Sequence, residues 1–324
     1  MPEPPASRTP NLRLVETVGP APASARNRLY HADNLACLTH LTAAKIRPDL
    51  IYIDPPFGLQ QDFKLGKGPT PMRKKGARKT ETAVAPDATA YSDVWPGGID
   101  GYLAMLEPRL AAMHALLADD GSFYIHLDST VVHYVKVLLD RIFTPACFQR
   151  EIIWRIGWIS GYKSRAKNWI RNHDTILFYT KHPTRFYFAK QIVPHPAGYR
   201  RRAGNHPATV GIPVDDVWNA NAAEAELTGE ASLDSIQIKS FSREKTGYPT
   251  QKNLSLLKRI LAASSAPDDL VADFFCGSGT TPVAAAQMDR RFVGSDVGIQ
   301  AIKTVQSRLA QQTPAAGYGL WRAE

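Results

Sequence analysis

Hydrophobic and polar positions in the first 150 residues predict strands that alternate with helices. Residues 28–32 form a short apolar strand pattern, and 50–53 is a continuous apolar run, which is typical of a strand inside a parallel sheet. A helical spacing of leucines over 102–117 leads into the apolar run 123–127, and a second helical pattern covers 131–143. This order predicts a parallel sheet with helices on both faces.

The pattern breaks between residues 151 and 247 and then returns. In the break, 151–158 and 174–180 are predicted to be strands among Gly, Pro, Asn and Arg residues. The elements predicted after it are a helix over 254–262, a strand over 270–272, a helix over 281–288, a strand over 291–294 and a final helix that contains 302–309. The break is therefore interpreted as an insertion between two halves of one α/β domain, 28–150 and 248–324.

Two further segments lack periodicity. Residues 1–27 are rich in Pro, Ala and Ser, which predicts a disordered tail. Residues 58–93 contain Gly, Pro, Lys and Thr, and connections of that length are usually functional or mobile, so a mobile basic loop is expected there.

Composition limits the class of protein. The chain has 324 residues, 44% of them hydrophobic, which suits one large domain with an inserted part. With no signal peptide and no run of 18 apolar residues, a soluble cytoplasmic protein without membrane partners is expected. The three cysteines and nine histidines lack ligand spacing, so neither a disulfide framework nor a metal site is predicted. His126 and His133 are interpreted as packed or solvated side chains.

The charge is +9 and is concentrated in two regions. The first contains no acid and includes Lys64, Lys67, Arg73, Lys74, Lys75, Arg78 and Lys79. The second, 150–202, contains Lys163, Arg165, Lys167, Arg200, Arg201 and Arg202 among twelve basic residues. Basic residues interleaved with aromatics are typical of nucleic-acid surfaces. The alternatives are an ordinary solvated surface and, for the first region, a tolerated surface insertion.

A glycine-containing turn follows the strand at 270–272. Its sequence is Asp273-Phe274-Phe275-Cys276-Gly277-Ser278-Gly279-Thr280-Thr281. The glycines permit close approach of the backbone to a ligand, and the following helix offers unpaired N–H groups. Asp296 closes the next strand, where a carboxylate can accept hydrogen bonds from a ribose. Since Gly-x-Gly-x-x-Gly is incomplete, a small adenosine-type cofactor is favoured over a dinucleotide, and a plain strand-to-helix turn remains the alternative.

A second short loop, Asp54-Pro55-Pro56-Phe57, follows the strand at 50–53. The prolines supply no N–H, so the carbonyls of the loop can accept hydrogen bonds from an NH2 group. Asp54 adds an acceptor and Phe57 a stacking face. An amine conjugated to a base ring is a poor nucleophile, but accepting its hydrogens frees its lone pair. The pattern predicts modification of an exocyclic amine, and the alternative is a rigid proline turn.

These motifs resemble the DNA amino-methyltransferases that use S-adenosylmethionine, over about residues 28–310. The resemblance implies a Rossmann-like fold with a mostly parallel seven-stranded sheet. Because the catalytic loop precedes the cofactor loop, it also implies the circularly permuted β group. In that group the insertion 151–247 is the target-recognition region, 28–150 the catalytic half and 248–324 the cofactor-binding half. Asn253 stands where the family usually has Pro.

The resemblance assigns roles to residues. It implies that the catalytic residues are Asp54, Pro55, Pro56 and Phe57. It implies that the cofactor is bound by Asp33, Asn34, Thr250, Gln251, Lys252, Asp273, Phe275, Gly277, Ser278, Gly279, Thr280 and Asp296. Double-stranded DNA is the expected partner, contacted by the basic residues named above, and the setting is DNA methylation of the restriction–modification type. Many proteins of this type form dimers, which leaves a homodimer open.

The expected reaction is methyl transfer to adenine N6 of a flipped base. Cytosine N4 is the alternative target; Asp54 favours adenine, because cytosine-N4 members more often have Ser there. Methylation of a cytosine carbon is excluded, because Cys37, Cys147 and Cys276 do not follow Pro as that nucleophile usually does. A catalytically inactive DNA-binding protein and an RNA or protein methyltransferase are the alternatives of other classes.

Overall fold

A ten-stranded sheet with helices on both faces organises the molecule. The computed structural model describes residues 11–19, 26–57, 61–64, 89–155, 167–195, 198, 200, 209–218, 244–312 and 316–324, with the backbone alone at 61–64 and 89–92.

The strands are β1 Leu12–Val18, β2 Arg28–His31, β3 Leu50–Ile53, β4 Gln61–Lys64, β5 Thr89–Asp93, β6 Ser122–Leu127, β7 Phe148–Arg155, β8 His173–Thr180, β9 Ile192–Pro194, β10 Gly211–Pro213, β11 Val217–Trp218, β12 Leu270–Asp273, β13 Arg291–Asp296 and β14 Tyr318–Ala323. The helices are α1 Asn34–Ala43, α2 Gly98–Leu116, α3 Val132–Phe143, α4 Leu254–Ser264, α5 Thr280–Gln287 and α6 Ile299–Ala310. A single 3-10 turn covers Pro145–Cys147.

The order of the strands in the sheet places a ligand site at its centre. The order is β1-β14-β2-β13-β12-β3-β6-β8-β7-β11, and the strands from β14 to β6 are parallel. From β12 the chain continues through α5 to β13 on one side, whereas from β3 it continues through α2 to β6 on the other. The strand order therefore reverses between β12 and β3, and ligands in open α/β sheets bind outside the carboxyl ends of strands at such a point.

Strand alternation divides the core into two layers. Ile51 and Ile53 of β3 face the cluster that packs under α1, α2 and α3, and Leu50 and Tyr52 face the cluster under α4, α5 and α6. All four side chains are at most 1% exposed. Burial on both faces explains why β3 is apolar throughout, and it makes the end of β3 a rigid support for the loop at Asp54.

The predicted fold class is confirmed, but the predicted number of seven strands is wrong. In the described residues the sheet has ten strands: the five central strands β2, β13, β12, β3 and β6, then β14 and β1 at one edge and β8, β7 and β11 at the other. Helix α1 was not predicted. The predicted boundary at residue 151 falls inside β7, so the sheet continues into the insertion.

Two segments expected to lack structure contain strands. Within the tail 1–27, β1 pairs antiparallel with β14, because its backbone hydrogen-bonding groups meet those of an edge strand from the other end of the chain. Within the loop 58–93, β4 and β5 pair with each other, and Gln61 lies opposite Asp93. The remainder of the expected mobile basic loop, 58–60 and 65–88, lies outside the described residues. No helix in the described ranges is long and apolar enough to cross a membrane.

Candidate active site

A cavity of about 400 Å³ lies at the carboxyl ends of β3 and β12. All four residues predicted to be catalytic line it, namely Asp54, Pro55, Pro56 and Phe57. The predicted cofactor residues that line it are Asp33, Asn34, Thr250, Gln251, Lys252, Asp273, Phe275, Gly277, Ser278, Thr280 and Asp296. The two loops, which are more than 200 residues apart in sequence, therefore form one site.

The carboxylate of Asp54 holds a cation. Its Oδ2 lies 2.6 Å from Nζ of Lys252, and both side chains are mostly buried. The same ammonium lies 5.2 Å from the centre of the Phe57 ring. Oδ1 of Asp54 is buried without a hydrogen-bond partner among the described residues. Asp54 thus has one oxygen, Oδ2, that is paired with a cation and one, Oδ1, that is unused, and both lie beside the ring of Phe57. Such carboxylate oxygens can accept hydrogen bonds from N–H groups.

Lys252 contacts both loops. It lines the cavity, where its predicted role is cofactor binding, and its ammonium contacts the Asp54 carboxylate, which the sequence did not predict. Its backbone carbonyl does touch the cofactor loop, since Oγ1 of Thr280 donates to it over 3.0 Å. Lys252 therefore connects the two loops instead of belonging to one of them.

Gly277 and Asp296 form the turn of the cofactor loop. Gly277 has φ +47°, and its N–H donates to Oδ2 of Asp296 over 2.9 Å. The N–H of Gly298 donates to Oδ1 of Asp296 over 2.7 Å. A Cβ at Gly277 would lie 3.3 Å from the ring of Tyr248. Asp296 is thus oriented by backbone donors, although burial raises the pKa of its carboxyl.

Asp273 is a buried carboxyl at the base of the cavity. Its Oδ2 accepts from Oγ1 of Thr281 over 2.5 Å, and its Oδ1 accepts from the N–H of Phe275 over 3.0 Å. Desolvation raises the pKa of Asp273 to about 7, in spite of these hydrogen bonds. A cationic ligand group near this carboxyl would favour its charged form.

Gly279 is the predicted cofactor residue that does not line the cavity. It has φ +77°, and a Cβ there would lie 2.6 Å from Cγ2 of Val305 on α6. The glycine is required for packing of the loop against α6. A residue that the sequence analysis missed supports the same loop: buried Arg308 of α6 donates to the carbonyl of Ser278 over 2.9 Å and to Oγ1 of Thr280 over 3.0 Å. Burial lowers the pKa of Arg308 to about 10.

Asp33 and Asn34 are held by a second residue that was not predicted. Asp33 caps α1 by accepting the N–H of Leu35 over 2.9 Å, and Nδ2 of Asn34 donates to the carbonyl of Phe274 over 3.1 Å. Arg109 of α2 donates to Oδ2 of Asp33 over 2.9 Å and to Oδ1 of Asn34 over 2.7 Å. Arg109 is the only Lys or Arg in α2, and a single cation in an otherwise largely apolar helix was the feature that could have indicated its role.

Gln251 lines the cavity but uses its side chain to fold its own segment. Its Oε1 accepts from Oγ1 of Thr246 over 2.7 Å, and its Nε2 donates to the carbonyl of Glu244 over 2.7 Å. Thr250 lines the same wall with φ +55°. The segment 244–252 is therefore a preformed wall between the two loops.

His126 is buried, so of the two predicted settings, packed or solvated, it has the packed one, and it lies behind the loop 54–57. Its Nδ1 is 3.1 Å from the hydroxyl of Tyr52, and its Nε2 is 3.2 Å from Oδ2 of Asp174. Its ring stacks with that of Phe57 at a centroid distance of 6.1 Å. Within the described residues, no group of three or more His, Cys, Asp or Glu side chains is arranged to hold a metal ion.

Few of the predicted DNA-binding residues can be placed. Lys167 and Arg200 are exposed, and Lys64 lies in β4, where only the backbone is described. Lys67, Arg73, Lys74, Lys75, Arg78, Lys79, Lys163, Arg165, Arg201 and Arg202 lie outside the described residues. Near Lys167, the side chain of Trp169 is 98% exposed.

Comparison with known proteins identifies the family. The N6/N4 methyltransferase family, described as DNA methylase, matches residues 48–307. The Type II methyltransferase M.EcaI of Enterobacter cloacae is 29% identical over 88% of this chain and 69% of its own length. The DNA adenine methyltransferase YhdJ of Escherichia coli is 25% identical over 87% of this chain and 82% of its own length.

Two solved structures share the fold. The complex of M1.HpyAVI with SAM has a TM-score of 0.53 and 18% identity, and it covers 87% of this chain and 98% of its own. The cytosine-N4-specific PvuII DNA methyltransferase has a TM-score of 0.53 and 15% identity, and it covers 87% of this chain and 86% of its own. With the family match over residues 48–307, these similarities establish that the chain belongs to the N6/N4 amino-methyltransferase family of DNA methylases.

Proposed function

We propose that this protein transfers a methyl group from S-adenosylmethionine to adenine N6 of a base flipped out of double-stranded DNA. The observation that carries the proposal is the position of the Lys252 ammonium. It lies against Asp54 and beside the Phe57 ring, as the amine of a stacked base would. The family supports DNA amino-methylation, and the adenine target is the finer proposal.

In the proposed mechanism the loop activates the amine. Phe57 stacks on the base, while Asp54 and the loop carbonyls accept its N–H groups, which directs the nitrogen lone pair toward the incoming methyl group. When bound in this cavity, S-adenosylmethionine would supply an electrophilic methyl group, and cleavage of its S–CH3 bond would leave a neutral thioether. The nitrogen then carries one proton too many, and the unused Oδ1 of Asp54 is a suitable acceptor for it.

The residues of the second loop fit the proposed cofactor. Backbone groups at Gly277 and Ser278 can approach it closely, and Asp296 can accept from its ribose. Asp273 matches its positive charge, and Asp33 and Asn34, which follow β2, line the same cavity. The neighbour M1.HpyAVI, whose structure is described with SAM, has the same fold.

The choice of target atom rests on Asp54. Cytosine-N4 members of the family more often have Ser at this position, and the relative YhdJ is named as an adenine methyltransferase. Cytosine N4 is the alternative within the class, because it presents the same NH2 on a conjugated ring. The PvuII enzyme with the same fold is cytosine-N4-specific, so the fold does not decide between the two targets.

Base flipping follows from the buried position of the acceptor. Asp54 is mostly buried within the cavity, and an amine stacked inside a duplex cannot reach it. The proposed recognition region offers exposed Lys167 and Arg200 to phosphates, and exposed Trp169 to a base or sugar. These features support DNA as the partner.

Radiolabelled methyl transfer to DNA, RNA and protein in parallel tests the proposal. Label is expected in DNA alone. Label in RNA or protein would support the corresponding alternative methyltransferase. DNA binding without label in any substrate would support an inactive DNA-binding protein, against which the complete set of Asp54, Phe57, Gly277 and Asp296 argues.

A further inference from the structure

We propose that Asp93, the last residue of β5, is a positioning residue that sets the geometry of the catalytic loop 54–57. The inference rests on the proposed function, because the reaction that Asp93 would support is the methyl transfer proposed above. It assigns a task to a residue that the sequence analysis treated as the end of a mobile loop.

Asp93 joins the catalytic loop to a fixed neighbour. Its side chain is fully buried. Oδ2 accepts the backbone N–H of Phe57 over 3.1 Å, and Oδ1 accepts Nε1–H of Trp95 over 2.9 Å. One carboxylate therefore receives a donor from the loop and a donor from the start of the segment that leads into α2.

The N–H of Phe57 is the one backbone donor that the loop 54–57 has after Asp54. Pro55 and Pro56 have none, so Phe57 carries the first N–H of the loop after Asp54. The Pro56–Phe57 peptide is planar, and its C=O and N–H point in opposite directions. When Asp93 fixes this N–H, it therefore also fixes the direction of the Pro56 carbonyl and the start of the Phe57 side chain.

The anchor is independent of the cofactor loop. The ring of Trp95 packs edge-on against Tyr102 of α2, at a centroid distance of 6.1 Å and an interplanar angle of 68°. Tyr102 is fully buried in the core. Asp93 also lies opposite Gln61 at the base of the β4–β5 pair. Asp93 thus fixes the position of the loop 54–57 relative to α2 and β4. Gly277 and Asp296, which form the turn of the cofactor loop, belong to other elements.

This arrangement predicts that Asp93 affects turnover more than cofactor binding. A carboxylate that accepts two buried donors cannot be replaced by an amide, because one donor would then face an NH2 group. Removing it leaves both donors unsatisfied and releases Phe57. A displacement of the reacting groups by about 1 Å costs on the order of 100-fold in rate.

The test compares four proteins by turnover on unmethylated DNA, by cofactor titration and by hydrogen exchange of a peptide spanning residues 53–57. Asp93→Ala is expected to lower kcat about 100-fold, to leave the cofactor Kd nearly unchanged and to accelerate exchange at Phe57. Trp95→Phe removes the indole donor to Oδ1 and keeps a ring against Tyr102, so a loss of kcat and an acceleration of exchange that are both smaller than those of Asp93→Ala are expected.

Asp49→Ala is the control for loss of a buried carboxylate acceptor. Oδ2 of Asp49 accepts the N–H of Leu270 over 2.7 Å at the opposite end of the sheet. Its melting temperature is expected to fall, with kcat and the exchange of Phe57 unchanged.

Normal kcat or normal Phe57 exchange in Asp93→Ala would overturn the proposal. So would a loss of kcat that Asp49→Ala reproduces at equal destabilisation. If the wild-type protein transferred no methyl group to DNA, the proposed function would fail, whereas the exchange measurement would still decide whether Asp93 holds the loop.

Discussion

At the scale of single residues, the account depends first on Asp54. Its carboxylate holds the Lys252 ammonium and leaves Oδ1 without a partner among the described residues. Asp54→Ala is expected to reduce methyl transfer by at least about 100-fold, the usual effect of losing a group that stabilises developing charge. Cofactor binding, measured by calorimetry, should change little, because the cofactor loop keeps its own contacts. Near-normal turnover in this variant would show that the amine is activated in another way.

Phe57 has a separate task, which is to stack on the flipped base. Phe57→Ala is expected to weaken capture of the base by roughly 1–3 kcal/mol, the range for aromatic–base contacts. Fluorescence of 2-aminopurine at the target position measures the capture. Phe57→Tyr keeps the ring and should behave like wild type, and an equal loss in both variants would contradict a stacking role.

Asp273 predicts how stability depends on pH. Burial raises the pKa of this carboxyl to about 7 in the folded protein, from an ordinary value near 3.8. Between these two values the unfolded chain holds fewer protons here than the folded protein does. The stability of the cofactor-free protein should therefore fall as pH rises through this window, by at most about 1.4 kcal/mol per pH unit.

Urea unfolding of wild type and Asp273→Asn at pH 4.5, 5.5 and 6.5 isolates this contribution. Asn cannot ionise, so the difference in stability between the two proteins should change with pH in favour of the variant. A difference that is constant with pH would show that Asp273 does not titrate in this range.

At the scale of elements, α6 supports the cofactor loop. Arg308 donates to Ser278 and Thr280 from a buried position, and Val305 fills the space beside Gly279. Arg308→Met is expected to weaken cofactor binding about tenfold or more, because the loop carbonyl and hydroxyl lose a charged donor worth roughly 1.5–3 kcal/mol. Lys303→Met on the exposed side of the same helix should bind cofactor normally. Equal cofactor affinity in all three proteins would mean that α6 does not hold the loop.

Elements with a strong local pattern were predicted from the sequence, and those that depend on distant pairing were not. The apolar runs of β3 and β6 and the periodic helices α3 and α4 were found at nearly their observed bounds. β1 alternates weakly, and it is defined by its pairing with β14 about 300 residues later. Helix α1 had a usable signal, since Asp33 caps it and Leu38 and Leu41 follow at helical spacing, but it was overlooked.

The same limit applies to the site. The loops 54–57 and 273–281 could be singled out from the sequence, because each is a short combination of residue types that is uncommon outside ligand-binding loops. The anchors Arg109, Asp93 and Arg308 were missed, because each acts on a residue distant in sequence and has no motif of its own. The cofactor role of Lys252 stays a prediction, and its contact with Asp54 was not predicted, since nothing local indicates it.

At the scale of the whole molecule, the permuted chain joins two halves at one crevice. β12 brings the cofactor loop and β3 the catalytic loop, and the two strands are neighbours in the sheet. The sheet continues through β8 and β7 into the proposed recognition region, so that these described strands of the region belong to the same sheet as β3 and β6. A DNA duplex held by this region would present a flipped base to the cavity.

The most direct test of the central claim is mass spectrometry of nucleosides from DNA methylated with S-adenosylmethionine that carries a CD3 group. Wild-type protein is incubated with unmethylated double-stranded DNA, with Asp54→Ala as the control. The account predicts deuterated N6-methyldeoxyadenosine from the wild type and almost none from the variant. Deuterated N4-methyldeoxycytidine alone would contradict the adenine target, and no deuterated nucleoside at all would contradict the claim that this cavity methylates a base amine in DNA.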